Sequence, residues 1–331
     1  MSKILSICIP TYNRASCLEE CLNSIAKSIA GFENDVEIVI SDNASTDTTQ
    51  KVVEKFCGTL SVIRYFRNAE NIGGERNFRL VASLAEAEYI LVFGDDDKMA
   101  AAAIEIILDK IKKGVDLLVL NYSIWDKNFS HCIKSHAFSM RDKTYHHKNL
   151  IMSDQGLNIG YISTVVVKKD LFFVLSAAEY EKYVPFGFPF AYAVYAGMKE
   201  NCEAVYVSEP LVMNRAGNSG NYDWYKFFVA GSSLIFDSLV SSGYSKDAVD
   251  KAKKKVIKQY VILDLFVRKR DGKKMTGLLE LMYPFYKSYV LYWLVIVPVC
   301  FLPASLVWSS WWVLKKIKGI KKTLILMLAK A

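Results

Sequence analysis

The sequence predicts an α/β fold with a parallel β-sheet. Over the first 120 residues, short apolar segments alternate with longer segments of helical periodicity, and this alternation is typical of strand–helix–strand units with right-handed crossovers. The apolar segments are rich in Ile, Val, Leu and Phe and show no alternation in polarity, as expected of strands that are covered on both faces. Polar residues follow the ends of these segments, where ligands bind in such sheets.

Strands and helices are predicted in strict alternation in this region. We expect strands at residues 4–9, 36–41, 61–66, 89–93 and 116–120, and helices at residues 15–30, 47–56, 75–85 and 100–112. The pattern is weaker farther along the chain. There we expect short strands near residues 164–167 and 204–207, helices near 170–177, 190–198 and 224–241, and basic helices over 246–287.

The composition excludes a disordered chain and predicts an anionic partner for the C-terminal part. Of the 331 residues, 52% are hydrophobic, which is too many for intrinsic disorder. From Lys246 to the end there are 18 Lys and Arg against 5 Asp and Glu, a balance of +13, so residues 1–245 carry −5 of the total charge of +8. Basic ends favour membrane surfaces or nucleic acids, and here we expect a membrane surface and no nucleic acid. A solvated helix face is the alternative interpretation.

The N-terminus and the cysteines predict a reducing, cytoplasmic environment. Residues 1–3 lead directly into the first predicted strand, whose apolar run is too short for a secretory signal. The seven Cys are scattered, without a Cys-x-x-Cys pair, which favours reduced thiols. Cys8 lies inside an apolar run and is predicted to be a core residue.

An uncharged segment near the C-terminus predicts membrane association. Residues 288–314 are 27 residues without a charge, and a helix of that length would measure about 40 Å, enough to span a bilayer. Pro298 and Pro303 would kink or break such a helix, and both flanks are rich in Lys. A monotopic or re-entrant segment satisfies both observations. A transmembrane helix and a core or dimer interface are the alternatives.

Three adjacent aspartates, Asp95, Asp96 and Asp97, follow the predicted strand 89–93. Neighbouring carboxylates repel one another unless a cation lies among them or the loop is well solvated. A hard divalent ion that bridges carboxylate and diphosphate oxygens would stabilise a departing nucleotide diphosphate. The alternative is an acidic N-terminal end for the helix at 100–112, which the helix dipole would favour.

Three further polar segments follow predicted strands. Asp42 could accept hydrogen bonds from a base or a ribose, although side chains in the same turn could equally cap the next helix. Tyr12 could cover a base. The glycine pair at residues 73–74 would allow a close approach of the backbone to a ligand, and Arg76 could then pair with phosphate.

The order of these segments resembles glycosyltransferase family 2. The resemblance is carried by residues 8–14 (Cys-Ile-Pro-Thr-Tyr-Asn-Arg), 40–47 (Ile-Ser-Asp-Asn-Ala-Ser-Thr-Asp), 76–77 (Arg-Asn) and 94–97 (Gly-Asp-Asp-Asp). A looser resemblance to the abequosyltransferase-like branch extends to about residue 225. The resemblance implies a GT-A fold, a Rossmann-like domain that uses nucleotide-diphospho-sugars. Residues 1–120 would form its nucleotide-sugar-binding half and 121–245 its acceptor-binding half, followed by a helical, basic, membrane-associating extension at 246–331.

The resemblance also implies the residues of the site. Those expected to contact the donor nucleotide are Pro10, Thr11, Tyr12, Arg14, Asp42, Asn43, Arg76 and Asp95. Mn²⁺ or Mg²⁺ is expected at Asp96 and Asp97. Counting back from Met99 places Asp95 at the ribose-contacting position and Asp96 at the principal metal-ligating position. The alternative register uses Asp95 and Asp97.

An inverting transferase needs a group that takes the proton of the acceptor hydroxyl. Many members of the family carry a Glu-Asp pair for this purpose, whereas residues 185–189 of this chain contain no carboxylate. We predict Glu181 as the catalytic base, beside Asp96 as the other catalytic residue. The alternatives for the base are Glu179, Asp154 and Asp223.

The predicted function is that of a metal-dependent, inverting hexosyl- or deoxyhexosyltransferase. Its donor would be a nucleotide-diphosphate sugar and its acceptor a lipid-linked saccharide, in O-antigen-type polysaccharide synthesis at the cytoplasmic face of a bacterial inner membrane. A nucleotidyltransferase is a second hypothesis, which the absence of Gly from residues 10–17 disfavours. A non-catalytic, membrane-associated sugar-binding protein is a third, supported by the missing Glu-Asp pair. Self-association of the chain stays open.

Overall fold

The structure is a computed structural model that describes residues 3–217, 224–273, 275–303 and 306. The chain forms two compact units. Unit 1 consists of Met1–Ile151, Asn158–Val184 and Pro189–Gly220, and unit 2 consists of Met152–Leu157, Pro185–Phe188 and Asn221–Ala331.

Unit 1 contains a mixed β-sheet that has ten strands within the described residues. The strands are β1 (Leu5–Thr11), β2 (Val36–Asp42), β3 (Ile63–Arg67), β4 (Tyr89–Val92), β5 (Lys98–Met99), β6 (Leu117–Trp125), β7 (Cys132–Lys134), β8 (Lys143–Tyr145), β9 (Val165–Lys168) and β10 (Ala204–Arg215). Neighbouring strands follow the order β3-β2-β1-β4-β9-β6-β10-β5, with β7 paired to β6 and β8 paired to β10.

Helices follow most of the strands. Up to residue 197 they are α1 (Ala15–Ser28), α2 (Thr49–Cys57), α3 (Gly74–Ser83), α4 (Ala103–Ile111), α5 (Lys148–Gln155), α6 (Lys169–Phe172), α7 (Ala177–Glu181) and α8 (Pro189–Gly197). Short 3₁₀ helices occupy Gly156–Gly160, Ile162–Thr164 and Val184–Phe186. Beyond residue 224 the helices are α9 (Ser232–Ser241), α10 (Lys246–Val256), α11 (Ile262–Arg270), α12 (Leu278–Tyr286) and α13 (Val297–Phe301), with π-helical turns at Lys226–Gly231, Ile257–Val261 and Tyr292–Ile296.

The predicted N-terminal strands are confirmed, but the sheet is only partly parallel. β1 runs parallel to β2 and β4, and β2 runs parallel to β3. β9 lies antiparallel between β4 and β6, so the complete sheet is mixed, although the five strands predicted within the first 120 residues all run in one direction. The direction of β9 could not be predicted, because a strand that is buried on both faces has the same apolar composition whichever direction it runs.

The helix predicted near residues 170–177 is shorter than expected, because two short helices occupy that region. α6 ends at Phe172, and α7 begins at Ala177 after a break. Ser176 accepts a hydrogen bond from the backbone of Glu179, and the Glu179 side chain accepts one from the backbone of Ser176. This reciprocal capping box begins a new helix instead of continuing the first.

The core of unit 1 holds β1 rigidly beneath the loop that follows it. Leu5, Ile7 and Ile9 alternate along β1 and belong to one buried cluster with side chains of α1 and α4. All seven residues of β1 are buried, including Cys8, which confirms its prediction as a core residue. Burial of this kind stabilises a side chain by about 1.5–3 kcal/mol, so the carboxyl end of β1 is a fixed platform.

Unit 2 is helical within its described part. Lys253 of α10 pairs with Asp237 of α9 at 2.8 Å, and Tyr289 donates a hydrogen bond of 2.8 Å to Asp250. Across the described residues, no helix combines the length and the apolarity that crossing a bilayer requires. Of the predicted apolar segment 288–314, residues 304–305 and 307–314 lie outside the described residues.

Candidate active site

A pocket of about 320 Å³ lies at the carboxyl ends of β1, β2 and β4. Its wall is formed by Pro10, Thr11, Tyr12, Arg14, Asn43, Asn71, Gly74, Asn77, Phe78, Gly94, Asp95, Asp96 and Ile162. Thr11 and Asp42 are direct neighbours in the pairing of β1 with β2, and Cys8 and Val92 are neighbours in the pairing of β1 with β4. The parallel register therefore brings three strand ends to one place, as the sequence predicted.

The loops after β1 and β2 hold each other in place. The side-chain oxygen of Asn13 accepts a hydrogen bond of 2.7 Å from the backbone N–H of Thr46, and the backbone N–H of Asn13 donates one of 2.9 Å to Ser45 Oγ. Asn13 and Ala44 adopt positive φ angles of 51° and 64°. Such backbone conformations cost of order 1 kcal/mol or more and persist only where the surroundings impose them. The two loops are thus a preformed part of the pocket wall.

Asp42 lies behind the pocket wall and is fully buried. Its carboxylate accepts hydrogen bonds from the backbone N–H of Ser45 at 2.8 Å and from the hydroxyl of Tyr65 at 2.7 Å, and Arg67 Nε lies 3.6 Å away. Burial and the Asp42 carboxylate raise the pKa of Tyr65 above its usual range, so Tyr65 stays a hydrogen-bond donor at neutral pH. Asp42 is not among the described residues that line the pocket.

Asp95 is a buried residue of the pocket wall. Its side chain accepts a hydrogen bond of 2.7 Å from Thr11 Oγ1, and Arg14 Nη1 lies 3.1 Å from its other oxygen. Burial raises the pKa of Asp95 to about 6, and the positive charge of Arg14 opposes that rise. The carboxylate is therefore held in a fixed orientation by one hydroxyl and one cation.

Asp96 presents its side chain to the pocket with partial exposure. Arg14 Nη1 lies 3.2 Å from Asp96 Oδ2, and the carboxylate side chain is 20% exposed. The backbone of the same residue is anchored, since Arg215 Nε donates a hydrogen bond of 3.0 Å to its carbonyl oxygen. Arg215 is in turn held by Glu20 at 3.2 Å and by the carbonyl oxygen of Lys127. The backbone of the loop is therefore fixed at Asp96, which belongs to the pocket wall.

Asp97 points into the protein and has several hydrogen-bond donors around it. Tyr161 and Ser163 each donate a hydrogen bond of 2.6 Å to Oδ2. Asn214 Nδ2 and the backbone N–H of Arg215 lie 3.3 Å and 3.4 Å from Oδ1. Burial raises the pKa of Asp97 above its usual range. The structure thus gives Asp96 and Asp97, both predicted as metal ligands, two different environments.

The acidic edge of the pocket fits a hard divalent cation. Carboxylate oxygens are the donors that Mg²⁺ and Mn²⁺ prefer, and Mg²⁺ is commonly bound by one or two carboxylates together with phosphate oxygens of the substrate. Asp96 supplies such an oxygen on the pocket wall, with Asp95 beside it. In the described part of the chain, no cluster of three or more His, Cys, Asp or Glu side chains has the arrangement of a metal site formed by protein alone.

A chain of amides joins the segment around residue 71 to β2. Asn43 donates a hydrogen bond of 2.8 Å to Asn71 and accepts one of 3.0 Å from Asn68. Asn77, in the first turns of α3, accepts a hydrogen bond of 2.7 Å from Ser41 Oγ and donates one of 3.0 Å to the carbonyl oxygen of the same residue. These bonds fix the N-terminal turns of α3 against the end of β2.

Sequence reasoning missed some residues of the site. Asn77, Phe78 and Ile162 line the pocket, and Tyr161 and Ser163 orient Asp97. Asn77 carried a usable signal, since a polar amide in a helix beside apolar residues needs a specific partner. Phe78 and Ile162 carried none, because an apolar residue at helical spacing is indistinguishable from a core residue.

Arg76 and Glu181 lie together but apart from the pocket wall. Arg76 Nε donates a hydrogen bond of 3.0 Å to Glu181 Oε2, a second bond joins Arg76 Nη2 to Glu181 Oε1, and both side chains are about half exposed. Neither residue is among the described residues that line the pocket. The ion pair joins α3 to the end of α7. The predicted roles of both residues stay predictions.

The other candidates for the base lie in different surroundings. Glu179 is engaged in the cap of α7 with Ser176. Asp154 belongs to unit 2, where its carboxylate lies 3.6 Å from Lys255. Asp223 lies outside the described residues.

Comparisons with known proteins show which family the sequence matches. The family model for glycosyl transferase family 2 matches residues 6–172. The chain is 32% identical over 228 residues to the abequosyltransferase RfbV of Salmonella typhimurium, a match that covers 65% of this chain and 67% of that protein. It is also 32% identical over 113 residues to the GalNAc(5)-diNAcBac-PP-undecaprenol beta-1,3-glucosyltransferase of Campylobacter jejuni, covering 33% of this chain and 35% of that protein.

A solved structure shares the fold. The crystal structure of S. aureus TarS 1–349 in complex with UDP-GlcNAc superposes with a TM-score of 0.58 at 18% identity, and the match covers 84% of this chain and 75% of that chain. At this level of identity the likeness shows the fold alone, which is α/β and of the GT-A type.

Proposed function

Since the chain belongs to glycosyl transferase family 2, we propose that it transfers a sugar from a nucleotide-diphosphate donor to a saccharide acceptor in cell-surface polysaccharide synthesis. One observation carries the proposal. Asp95 and Asp96 face a cavity that also presents Thr11, Tyr12 and Arg14, at the carboxyl ends of parallel strands. Carboxylate, hydroxyl, guanidinium and aromatic groups are the chemistry that a nucleotide diphosphate requires.

The nucleoside part of the donor would bind against the loops after β1 and β2. The Tyr12 ring is 42% exposed at the pocket wall and offers an apolar face for a base. Asn43 lies beside it on the wall, and Asp42 lies behind, fixed by Tyr65. The Asp95 carboxylate would accept hydrogen bonds from the ribose.

The diphosphate would lie toward the acidic loop. Asp96 would hold Mn²⁺ or Mg²⁺ at the pocket wall, and Asp97, the other predicted ligand, would have to turn away from Tyr161 and Ser163 to join it. When bound there, the cation would offset the charge that develops on the departing nucleotide diphosphate. Arg14 lies within ion-pairing distance of Asp95 and Asp96 and would contact the phosphate oxygens when it leaves them. Arg76 is a further candidate for phosphate contact, once it separates from Glu181.

The transfer would invert the configuration at the anomeric carbon in a single displacement. A carboxylate must then take the proton from the attacking acceptor hydroxyl, and we assign this role to Glu181. Its carboxylate is 47% exposed, so an acceptor can reach it. Arg76 would hold the carboxylate in one orientation, because the two side chains form two hydrogen bonds.

The acceptor would be a lipid-linked saccharide, and the transferred sugar a hexose or deoxyhexose. Two matches support this part of the proposal: one relative is named as an abequosyltransferase, and another is named as acting on a saccharide linked to PP-undecaprenol. An acceptor of this kind would place the reaction in an O-antigen-type pathway, at the cytoplasmic face of a bacterial inner membrane.

The test uses Asp96→Asn, which keeps the size of the side chain and removes its charge. The purified chain is screened by thermal shift against UDP-, dTDP-, CDP- and GDP-sugars with Mn²⁺, because a donor that binds the folded state raises the melting temperature. Hydrolysis of that donor is then measured with and without Mn²⁺ or Mg²⁺. We expect Asp96→Asn to lower turnover by at least about a hundredfold.

The matched control is Asp109→Asn on the surface of α4, where the native carboxylate pairs with Lys113. It should leave turnover unchanged. Turnover that needs no metal and survives Asp96→Asn would refute the proposed mechanism. A chain that binds no nucleotide-sugar at all would refute the transferase itself.

A further inference from the structure

The helical segment at residues 290–301 in unit 2 is apolar on its exposed side as well as on its packed side. Val290, Leu294 and Phe301 are 69%, 71% and 75% exposed, and Trp293 is 52% exposed. Spacings of four and seven residues place Val290, Leu294 and Phe301 on one side of a continuous helical stretch. We call these four residues, together with Tyr283 of α12, the apolar face.

The opposite side of the same stretch is packed. Tyr292, Val295, Ile296 and Val299 are all buried. A helix at a protein–water surface normally carries polar residues on its outer side, whereas a helix that is apolar all round has an apolar environment on both sides. The exposure of the apolar face therefore indicates a binding partner that covers it and excludes water.

We propose that the apolar face docks onto the surface of an anionic lipid bilayer. The charge of the surrounding sequence selects this partner. From residue 281 to residue 331 the sequence has seven Lys and no Asp or Glu, and six of these Lys lie outside the described residues. Lysines attract anionic headgroups while apolar side chains enter the boundary between headgroups and acyl chains, so the two contributions act together.

The side chains at the edge of the face suit the headgroup region. Trp293 Nε1 donates a hydrogen bond of 2.8 Å to the carbonyl oxygen of Lys287, and the Trp293 ring packs edge-on against Tyr283 with centroids 6.3 Å apart. Lys287 is exposed, with its ammonium 5.2 Å from the centre of the Tyr283 ring. Aromatic rings with a polar edge, next to a lysine, are enriched where apolar and polar layers of a membrane meet.

A second copy of the chain is the competing occupant of the face. The charge disfavours it, because a two-fold contact would bring two lysine-rich, acid-free segments together. This inference goes beyond the proposed transfer reaction. It is tested without any sugar substrate, so it can fail or succeed independently of the transferase.

The experiment is flotation of the full-length chain with lipid vesicles. One set contains phosphatidylglycerol and phosphatidylethanolamine, and the other contains phosphatidylcholine only. We expect the chain to float with the anionic vesicles, to float less as salt screens the lysines, and to stay in solution with the neutral ones. The double variant Val290→Glu/Leu294→Glu should lower binding to anionic vesicles by at least about tenfold.

The matched control is Leu150→Glu/Val174→Glu, which places the same two charges at apolar positions that are 54% and 59% exposed in unit 1. It should float like the unmodified chain. The milder variant Leu294→Gln gives a second measurement with less risk to folding, and it should bind less tightly than the unmodified chain. Thermal melting of each variant shows that it is folded.

Three outcomes would overturn the proposal. In the first outcome, the unmodified chain stays in solution with anionic vesicles. In the second outcome, both double variants float equally well. In the third outcome, the chain is a dimer without lipid and Val290→Glu/Leu294→Glu makes it a monomer, which would assign the face to self-association.

Discussion

Arg14 forms an ion pair with Asp96, with 3.2 Å between Nη1 and Oδ2, on the wall of the pocket. The same nitrogen lies 3.1 Å from Asp95. One guanidinium therefore places its positive charge beside two adjacent carboxylates. A divalent cation at Asp96 and the Arg14 guanidinium would compete for the same oxygens.

Arg14→Gln should increase the rise in melting temperature that Mn²⁺ causes. Without the guanidinium, Asp95 and Asp96 repel each other, so the variant should melt at a lower temperature in metal-free buffer. Added Mn²⁺ should then raise the melting temperature by ~2 °C more in the variant than in the unmodified chain. Differential scanning fluorimetry without nucleotide measures both values.

The control for this prediction is Lys112→Gln, which removes an ammonium that pairs with Asp35 at the C-terminal end of α4. Its Mn²⁺ response should equal that of the unmodified chain. If Mn²⁺ raises the melting temperature of Arg14→Gln and Lys112→Gln equally, Arg14 and the metal do not compete for the carboxylate oxygens of Asp95 and Asp96.

Tyr65→Phe should destabilise the chain and weaken donor binding. The Tyr65 hydroxyl donates a hydrogen bond of 2.7 Å to the fully buried Asp42 carboxylate. Losing a donor to a buried charge costs about 1–3 kcal/mol of the free energy of unfolding, and the loosened Asp42 should orient the neighbouring loop less well. Denaturant unfolding and nucleotide titration measure the two effects.

Tyr206→Phe is the matched control for Tyr65→Phe. The Tyr206 hydroxyl on β10 is buried and has no hydrogen-bond partner among the described residues. Its removal should therefore be neutral or slightly stabilising. The reasoning about Asp42 fails if the two Phe variants have the same free energy of unfolding.

Glu181→Gln should separate a catalytic role from a structural one. If Glu181 is the base, the variant loses kcat by about a hundredfold or more and keeps its KM for the donor. If Glu181 only holds Arg76 in place, then Glu181→Gln and Arg76→Gln should have similar effects on kcat and on KM. Steady-state kinetics of both variants decide between the roles.

Glu75 should make the stability of the chain depend on pH. Burial raises the pKa of Glu75 from 4.5 to about 8. The folded state then binds more protons than the unfolded state between these two pH values. The contribution of Glu75 to stability is therefore complete below about pH 4.5 and is lost as pH rises to about 8.

Glu75→Gln removes this titration. The change in the free energy of unfolding caused by the substitution should therefore be more favourable at pH 8.5 than at pH 5, by at least about 1 kcal/mol. Denaturant unfolding at the two pH values gives the difference. Glu105→Gln, at an exposed position in the first turn of α4, is the control and should show no such change. If Glu75→Gln changes the free energy of unfolding equally at both pH values, the Glu75 carboxylate is solvated in the folded chain.

Much of the site could be predicted from the sequence, because its parts follow buried strands. The segments after β1, β2 and β4 were predictable from apolar runs that end in polar residues, and seven predicted residues lie together on the pocket wall. These residues are Pro10, Thr11, Tyr12, Arg14, Asn43, Asp95 and Asp96. The membership of the family, predicted from the same segments, is confirmed.

By itself, the sequence determined the order of strands and helices in the first half of unit 1 and the place where a ligand would bind, because apolar periodicity is a local property. Only the tertiary structure decided that β9 runs antiparallel, that Asp96 faces the cavity while Asp97 turns inward to Tyr161 and Ser163, and that Arg76 pairs with Glu181. Each of these depends on side chains or strands that are distant in the chain and come within hydrogen-bonding range only after folding. The sequence pattern of one segment cannot predict a contact with a residue from a distant segment.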